Sequence, residues 1–262
     1  MNAGRAEAPL LEVSGLAHCY GPRIACDGIG FTLYAGEVLA VVGESGSGKT
    51  TLLRCLSGQL RPDAGRVKFQ TRVDGAVDIW SMSEASRRML MRTDWGFVHQ
   101  NPRDGLRADV SAGANIGERL MAVGARHYGN IRREAHAWMQ KVELDPCRMD
   151  ERPAAYSGGM QQRLQIARNL VSRPRLVFMD EPTAGLDVSV QARLLDLIRG
   201  LACDLGLSAI IVTHDLAVAR LLAHRALVMH AGRVVEEGLT DQVLDDPQHP
   251  YTQLLVSSEL RA

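Results

Sequence analysis

The sequence contains no apolar run approaching the roughly 18 residues that a membrane-crossing helix requires, so direct membrane insertion is not expected. Residues 1–9 lack the apolar stretch of a secretory signal, which makes the expected location cytoplasmic. No C-x-x-C pair is present. The five cysteines, Cys19, Cys26, Cys55, Cys147 and Cys203, are scattered and are expected to act as small buried hydrophobes in a reducing compartment. The eight histidines show no metal-ligand spacing, which argues against structural zinc and iron–sulfur sites. Lys+Arg and Asp+Glu balance at 30 each, so no basic field points to nucleic acid. Internal repeats and low-complexity segments are also missing.

What remains is a chain of 262 residues with 46% hydrophobic content, ample for a sizeable core. Short strand patterns run at residues 10–13, 29–33 and 38–42, separated by the turn signals Gly21-Pro22 and Ala35-Gly36-Glu37. A further strand is expected at 66–69 and a helix at 83–92. From about 106 to 172 the pattern becomes helical, with stretches at 115–123, 131–142 and 162–170. Strand patterns return at 176–179, 209–212 and 226–229. Between the first two of these lies an amphipathic helix carrying Val190, Leu194, Leu197, Ile198, Leu201 and Leu205 on one face. Alternation of strand and helix implies an α/β protein with a parallel sheet covered by helices.

The strand Val38–Val42 leads into Gly43-Glu44-Ser45-Gly46-Ser47-Gly48-Lys49-Thr50, which fits G-x-x-x-x-G-K-[ST] at every fixed position. Glycines let the backbone turn its N–H groups inward around phosphate oxygens at the start of a helix. Lys49 would reach the β and γ phosphates, and the Thr50 hydroxyl, with Thr51 beside it, would face a magnesium ion. The alternative is a glycine-rich turn that matches by accident, and the bracketing strand and helix weigh against it.

Leu176-Val177-Phe178-Met179-Asp180-Glu181 is an apolar strand ending in two carboxylates, at the edge where open α/β sheets take their ligands. Asp180 would hold magnesium, and Glu181 would polarise an attacking water. Alone, the pair is more often a helix-start signal. Ser157-Gly158-Gly159 opens a further helix and offers free N–H groups, a hydroxyl and a positive dipole end to an anion. Its plain reading is an N-cap with a flexible turn.

With these motifs in this order the chain resembles the ATP-binding cassette (ABC) ATPases over essentially its whole length. Ser157-Gly158-Gly159-Met160-Gln161 is similar to the signature sequence, with Tyr156 for the usual leucine and Met160 for glutamine. Gln100 stands at the Q-loop glutamine, Asp187 at the D-loop, and His214 at the switch histidine that contacts the γ-phosphate. Tyr20 stands where the family stacks an aromatic ring on adenine. The resemblance implies a P-loop NTPase with a mixed-sheet core, an N-terminal antiparallel part and an inserted α-helical subdomain. It implies one domain over 9–262, its core at about 9–100 and 173–262 and the helical part at about 101–172. ATP and Mg²⁺ are the implied cofactors. Lys49, Gln100, Glu181 and His214 would act in hydrolysis, while Thr50, Gln100 and Asp180 would hold the metal. Tyr20, residues 43–51, Ser157, Gly158, Gly159 and Asp187 would contact nucleotide, the serine and glycines doing so across a head-to-tail dimer.

Two narrower resemblances bear on the partner. Asp245-Asp246-Pro247-Gln248-His249-Pro250-Tyr251-Thr252 is similar to the tail motif of oligopeptide and dipeptide importer ATPases. Those chains usually continue well past it, often with clustered cysteines, whereas ten residues follow here. The stretch 98–129, with 157–171, resembles the ATP-binding subunits of carbon–phosphorus lyase systems. This implies docking on a soluble phosphonate-degrading core complex; the importer alternative implies a membrane permease and a peripheral position at the inner membrane. Arg103, Arg107 and Arg119 are either contacts to an acidic partner surface or solvated arginines.

Overall fold

The computed structural model describes residues 8–259. In chain order these form β1 (Leu11–Tyr20), β2 (Arg23–Leu33), β3 (Val38–Val42), α1 (Lys49–Leu56), β4 (Ala64–Gln70), β5 (Ala76–Asp78), α2 (Glu84–Thr93) and β6 (Trp95–Val98). There follow α3 (Pro102–Gly105), α4 (Ala112–Ala122), α5 (Tyr128–Lys141), α6 (Gly158–Leu170), β7 (Leu176–Asp180) and α7 (Val188–Leu205). The chain closes with β8 (Ser208–Thr213), α8 (Leu216–Leu222), β9 (Arg225–His230), β10 (Arg233–Leu239), α9 (Thr240–Asp245) and α10 (Pro250–Glu259). Two compact units result, one of residues 8–87 with 208–259 and one of residues 88–207.

In the first unit, Gly21 turns the chain at φ +59° and joins β1 to β2 as an antiparallel pair running from Leu11 opposite Leu33 to Tyr20 opposite Arg23. Both strands run well past their apolar cores at 10–13 and 29–33, and the added lengths mix buried Leu16, Ala25 and Cys26 with exposed Ser14, Tyr20, Arg23 and Ile24. β4 pairs with the other edge of β1, and β5 with β4. Strand β3 is buried at all five positions and lies parallel to both β8 and β9, which explains its uninterrupted apolar run. β10 folds back antiparallel on β9. Helices α8 and α9 cover this layer through Leu216, Ala219, Val243 and Leu244, against Ala40, Val42, Ala226 and Val228. Tyr251, Leu255 and Val256 of α10 pack on the same cluster.

In the second unit, β6 runs parallel to β7, Trp95 opposite Leu176 and Val98 opposite Met179. The sequence reading has no strand at 95–98, since four residues containing a glycine carry too little pattern. The helical expectation over 106–172 holds in α4, α5 and α6. Helix α6 meets β6 through a buried polar face. Asn169 Oδ1 accepts from the Phe97 N–H at 3.0 Å, and Gln165 Oε1 from the His99 N–H at 2.6 Å. Gln165 and Gln162 both donate to the His99 carbonyl, at 3.1 and 3.3 Å.

Two expectations need correction. Arg119 is neither a solvated arginine nor a free partner contact: its guanidinium donates to the backbone carbonyls of Met91 and Trp95, and burial pushes its pKa down to about 10. Arg103 and Arg107 are exposed. Of the cysteines, Cys26 and Cys55 are buried hydrophobes whose thiols burial pushes up to about 12, but Cys19, Cys147 and Cys203 lie at the surface. Among the described residues no helix is long and apolar enough to cross a membrane.

Candidate nucleotide site

Strand β3 delivers the chain into the glycine loop and α1 receives it. Gly43 sits at φ +147° and Gly48 at φ +108°. A Cβ on Gly43 would lie 2.2 Å from the Met229 carbonyl oxygen, and one on Gly48 2.0 Å from that of Ala25. No other residue fits either position. Gly48 caps α1 in the left-handed region without a side-chain bond, so the helix start presents N–H groups that no side chain caps. Lys49 is buried and folds back over the loop, its Nζ donating to the Gly43 and Glu44 carbonyls at 2.8 Å each. Ser47 Oγ is buried with no hydrogen-bond partner, a situation that typically costs about 1–3 kcal/mol unless an acceptor or donor joins it. These features fit a phosphate chain. From behind, the Gly232 N–H donates to the Ser47 carbonyl at 2.9 Å.

Two further sequence candidates belong to the same unit. Tyr20 ends β1 with 48% of its surface exposed, its ring edge-on to His18, so it is not a core aromatic. His214 is exposed directly after β8, and the following Asp215 caps α8 through the Ala217 and Val218 N–H groups.

The second unit holds the remaining candidates. Asp180 is the buried last residue of β7. Glu181 follows at φ +42°, a sparsely populated conformation for a residue with a side chain. Its Oε2 accepts from Gln100 Nε2 at 3.3 Å, which brings together residues 81 positions apart. Asp187 is exposed at the N-cap of α7 and makes no side-chain cap bond. Ser157 caps α6 by accepting from the Met160 N–H at 3.4 Å. A Cβ added to Gly158 would meet nothing within 4 Å, whereas one on Gly159 would meet Val190 Cγ1 at 2.7 Å. Tyr156 is buried, its hydroxyl donating to the Arg148 carbonyl at 2.7 Å while the Arg148 guanidinium lies over its ring. That side chain therefore anchors the turn much as an apolar residue would.

Sequence reasoning missed the supports of the loop, namely Ala25, Met229 and Gly232. They act through main-chain atoms, and no side-chain pattern announces them.

A glycine cradle at a helix start, a lysine folded over it and an acidic strand end define a P-loop nucleotide-binding protein. The family model described as ABC transporter matches residues 26–184. The chain is 63% identical over 253 residues to the putative phosphonates utilization ATP-binding protein PhnK of Escherichia coli K12, covering 97% of this chain and 98% of that one. It is 39% identical over 237 residues to the dipeptide transport ATP-binding protein DppF of the same organism, covering 90% of this chain and 69% of that one. Among solved structures, the dimeric ATP-binding cassette MJ0796 bound to ADP and Pi superposes with a TM-score of 0.78 at 27% identity, over 88% of this chain and 98% of that one. The chain belongs to the ABC transporter family and is an ATP-hydrolysing member of it, with the α/β fold of those cassettes.

Proposed function

We propose that the chain is the ATP-driven subunit of a phosphonate-utilization system. In this reading it associates with a carbon–phosphorus lyase core complex and remodels it through ATP-dependent dimer closure and opening. The observation that carries this reading is the 63% identity, nearly end to end, to a protein named for phosphonates utilization. Chemistry on the C–P bond would belong to other subunits.

Within this reading, residues 43–51 hold the phosphates and Tyr20 stacks on the base. Lys49 neutralises charge on the β and γ phosphates as the bond to the leaving group lengthens. Glu181 accepts a proton from the attacking water, and Gln100, already bonded to it, orients both carboxylate and water. His214 donates to the γ-phosphate. A magnesium ion, when bound, would neutralise developing charge on the phosphates. Thr50, Gln100 and Asp180 would hold it, and their oxygen donors suit a hard divalent cation. Ser157, Gly158, Gly159 and Asp187 complete the site of a second ABC subunit, as expected if the chain dimerises like MJ0796.

A second reading, the motor subunit of an importer, has its own support in the 36–39% identity to peptide import and transport ATP-binding proteins. Affinity purification of the tagged chain from cells grown on a phosphonate as sole phosphorus source distinguishes the two. Recovery of lyase core subunits supports the first reading, and recovery of a permease in their place supports the second.

A further inference from the structure

The tail motif at 245–252 plays no part in the chemistry above, yet it reaches the phosphate loop. The Tyr251 hydroxyl lies 3.1 Å from the backbone nitrogen of Glu44, the second residue of that loop, and accepts its N–H. The Tyr251 ring stacks on His230 with centroids 4.0 Å apart and planes 33° from parallel. His230 Nδ1 in turn lies 3.3 Å from the Glu44 carboxylate. Three segments distant in sequence, the loop, the end of β9 and the start of α10, thus converge on one residue.

Gln248, His249 and Pro250 shape the approach to that contact. The Glu236 carboxylate accepts from the Gln248 N–H at 2.8 Å and the His249 N–H at 3.0 Å, pinning the chain just before α10. His249 Nδ1 accepts from the Tyr251 N–H at 3.2 Å. Pro250 opens the helix, where its fixed φ suits the first turn and its missing N–H costs nothing. Tyr251 therefore leaves the helix start aimed at Glu44 rather than at solvent.

We propose that Tyr251, backed by His230, is a positioning residue that holds the start of the phosphate loop in its nucleotide-ready shape, so that the tail motif sets nucleotide affinity. The Glu44 N–H is tied off by the phenol, Gly43 is fixed by its close approach to the Met229 carbonyl, and the Lys49 ammonium bonds the Gly43 and Glu44 carbonyls. The proposal rests on the reading of 43–51 as the phosphate site.

The test uses the full chain, with ADP and ATP binding followed by calorimetry and the unliganded melting temperature measured alongside. Tyr251→Phe keeps the ring and its stack but removes the acceptor, and it is expected to weaken both nucleotides by about 3–10-fold, the range of a single net hydrogen bond. Its unliganded melting temperature should hold, and amide exchange at Glu44 should speed up. Leu255→Ala, in the same helix but facing the apolar cluster, should lower the melting temperature and leave affinity unchanged. His230→Gln, which removes the stack, should weaken nucleotide binding in the same direction. Wild-type affinity in Tyr251→Phe, or equal weakening in Leu255→Ala, overturns the brace while leaving the phosphate site intact. Failure of the wild-type chain itself to bind either nucleotide overturns the phosphate-site reading, and the brace with it.

Discussion

Two glycine turns at helix starts, the phosphate loop before α1 and Ser157-Gly158-Gly159 at α6, owe their glycines to different causes. In the phosphate loop the chain itself demands them: Gly43 and Gly48 adopt positive φ, and a Cβ on either would run into a backbone carbonyl of the same unit. At Ser157-Gly158-Gly159 the demand is weaker inside the chain. Gly159 is crowded chiefly by the end of the Val190 side chain, and Gly158 by nothing. The proposed head-to-tail dimer would supply an outside neighbour for a glycine that its own chain does not require. The contrast sets a turn whose shape its own unit fixes beside one that the proposed dimer would touch.

The sharpest way to exploit this contrast is to freeze the state in which both turns would be engaged. Glu181→Gln is expected to slow hydrolysis by roughly 10²–10⁴-fold while nucleotide still binds. An ATP-dependent dimer should then accumulate in light scattering, and a persistent monomer would remove the external cause proposed for Gly158. Gly48→Ala attacks the self-determined turn. With φ at +108° and a carbonyl 2.0 Å from the new methyl, ATP affinity should fall on the order of 100-fold, equivalent to about 2.7 kcal/mol. Retained affinity in calorimetry would show that the loop tolerates a side chain and would end the contrast from that side.

Gly158→Ala should do the reverse. Its melting temperature should stay at or slightly above wild type, because alanine suits a helix start better by about 0.5–1 kcal/mol. Binding of ATP to the monomer should persist, and ATPase turnover should drop at least roughly tenfold, the loss of about 1.4 kcal/mol of transition-state contact. Unchanged turnover would make this glycine incidental. The smallest effect concerns acid. Burial disfavours the charged form of Glu236, but the N–H groups of Gln248 and His249 outweigh it and hold the carboxyl below the usual range. A depressed carboxyl contributes stability that is present above its unfolded pKa and is lost as pH falls through the lower folded value. Amide protection at 248–253 should therefore fade on acidification through that window, and Glu236→Gln should flatten the response. The Ser157 turn, capped by a hydroxyl, should show no such step.

Much of this was legible in the residues because the chemistry is local. Residues 43–50 carry strand, loop and helix start in one stretch, and Asp180 and Glu181 end an apolar strand in a way that one window of sequence displays. The 81-residue gap between Gln100 and Glu181 was bridged only by resemblance. What stayed hidden is long-range or polar. The inner face of α6 is Gln162, Gln165 and Asn169, so a search for apolar periodicity finds its burial puzzling. Strand β6 is too short to announce itself, and Arg119 looks like any helix arginine until the Met91 and Trp95 carbonyls are seen around it. Tyr251 acts on a residue 207 positions earlier.

That polar inner face of α6 also bears on how force would pass through the second unit. Both the N–H and the carbonyl of His99 are clasped by glutamines of a helix whose first turn is Ser157-Gly158-Gly159. Gly105 is packed so close to Gln165 that an added methyl would lie 2.2 Å from its Oε1. Gln100 thus directly follows a residue whose backbone N–H and carbonyl are both bonded to the helix that Ser157 caps. Within the proposed function, a displacement of Gln100 is therefore expected to be felt at the serine turn.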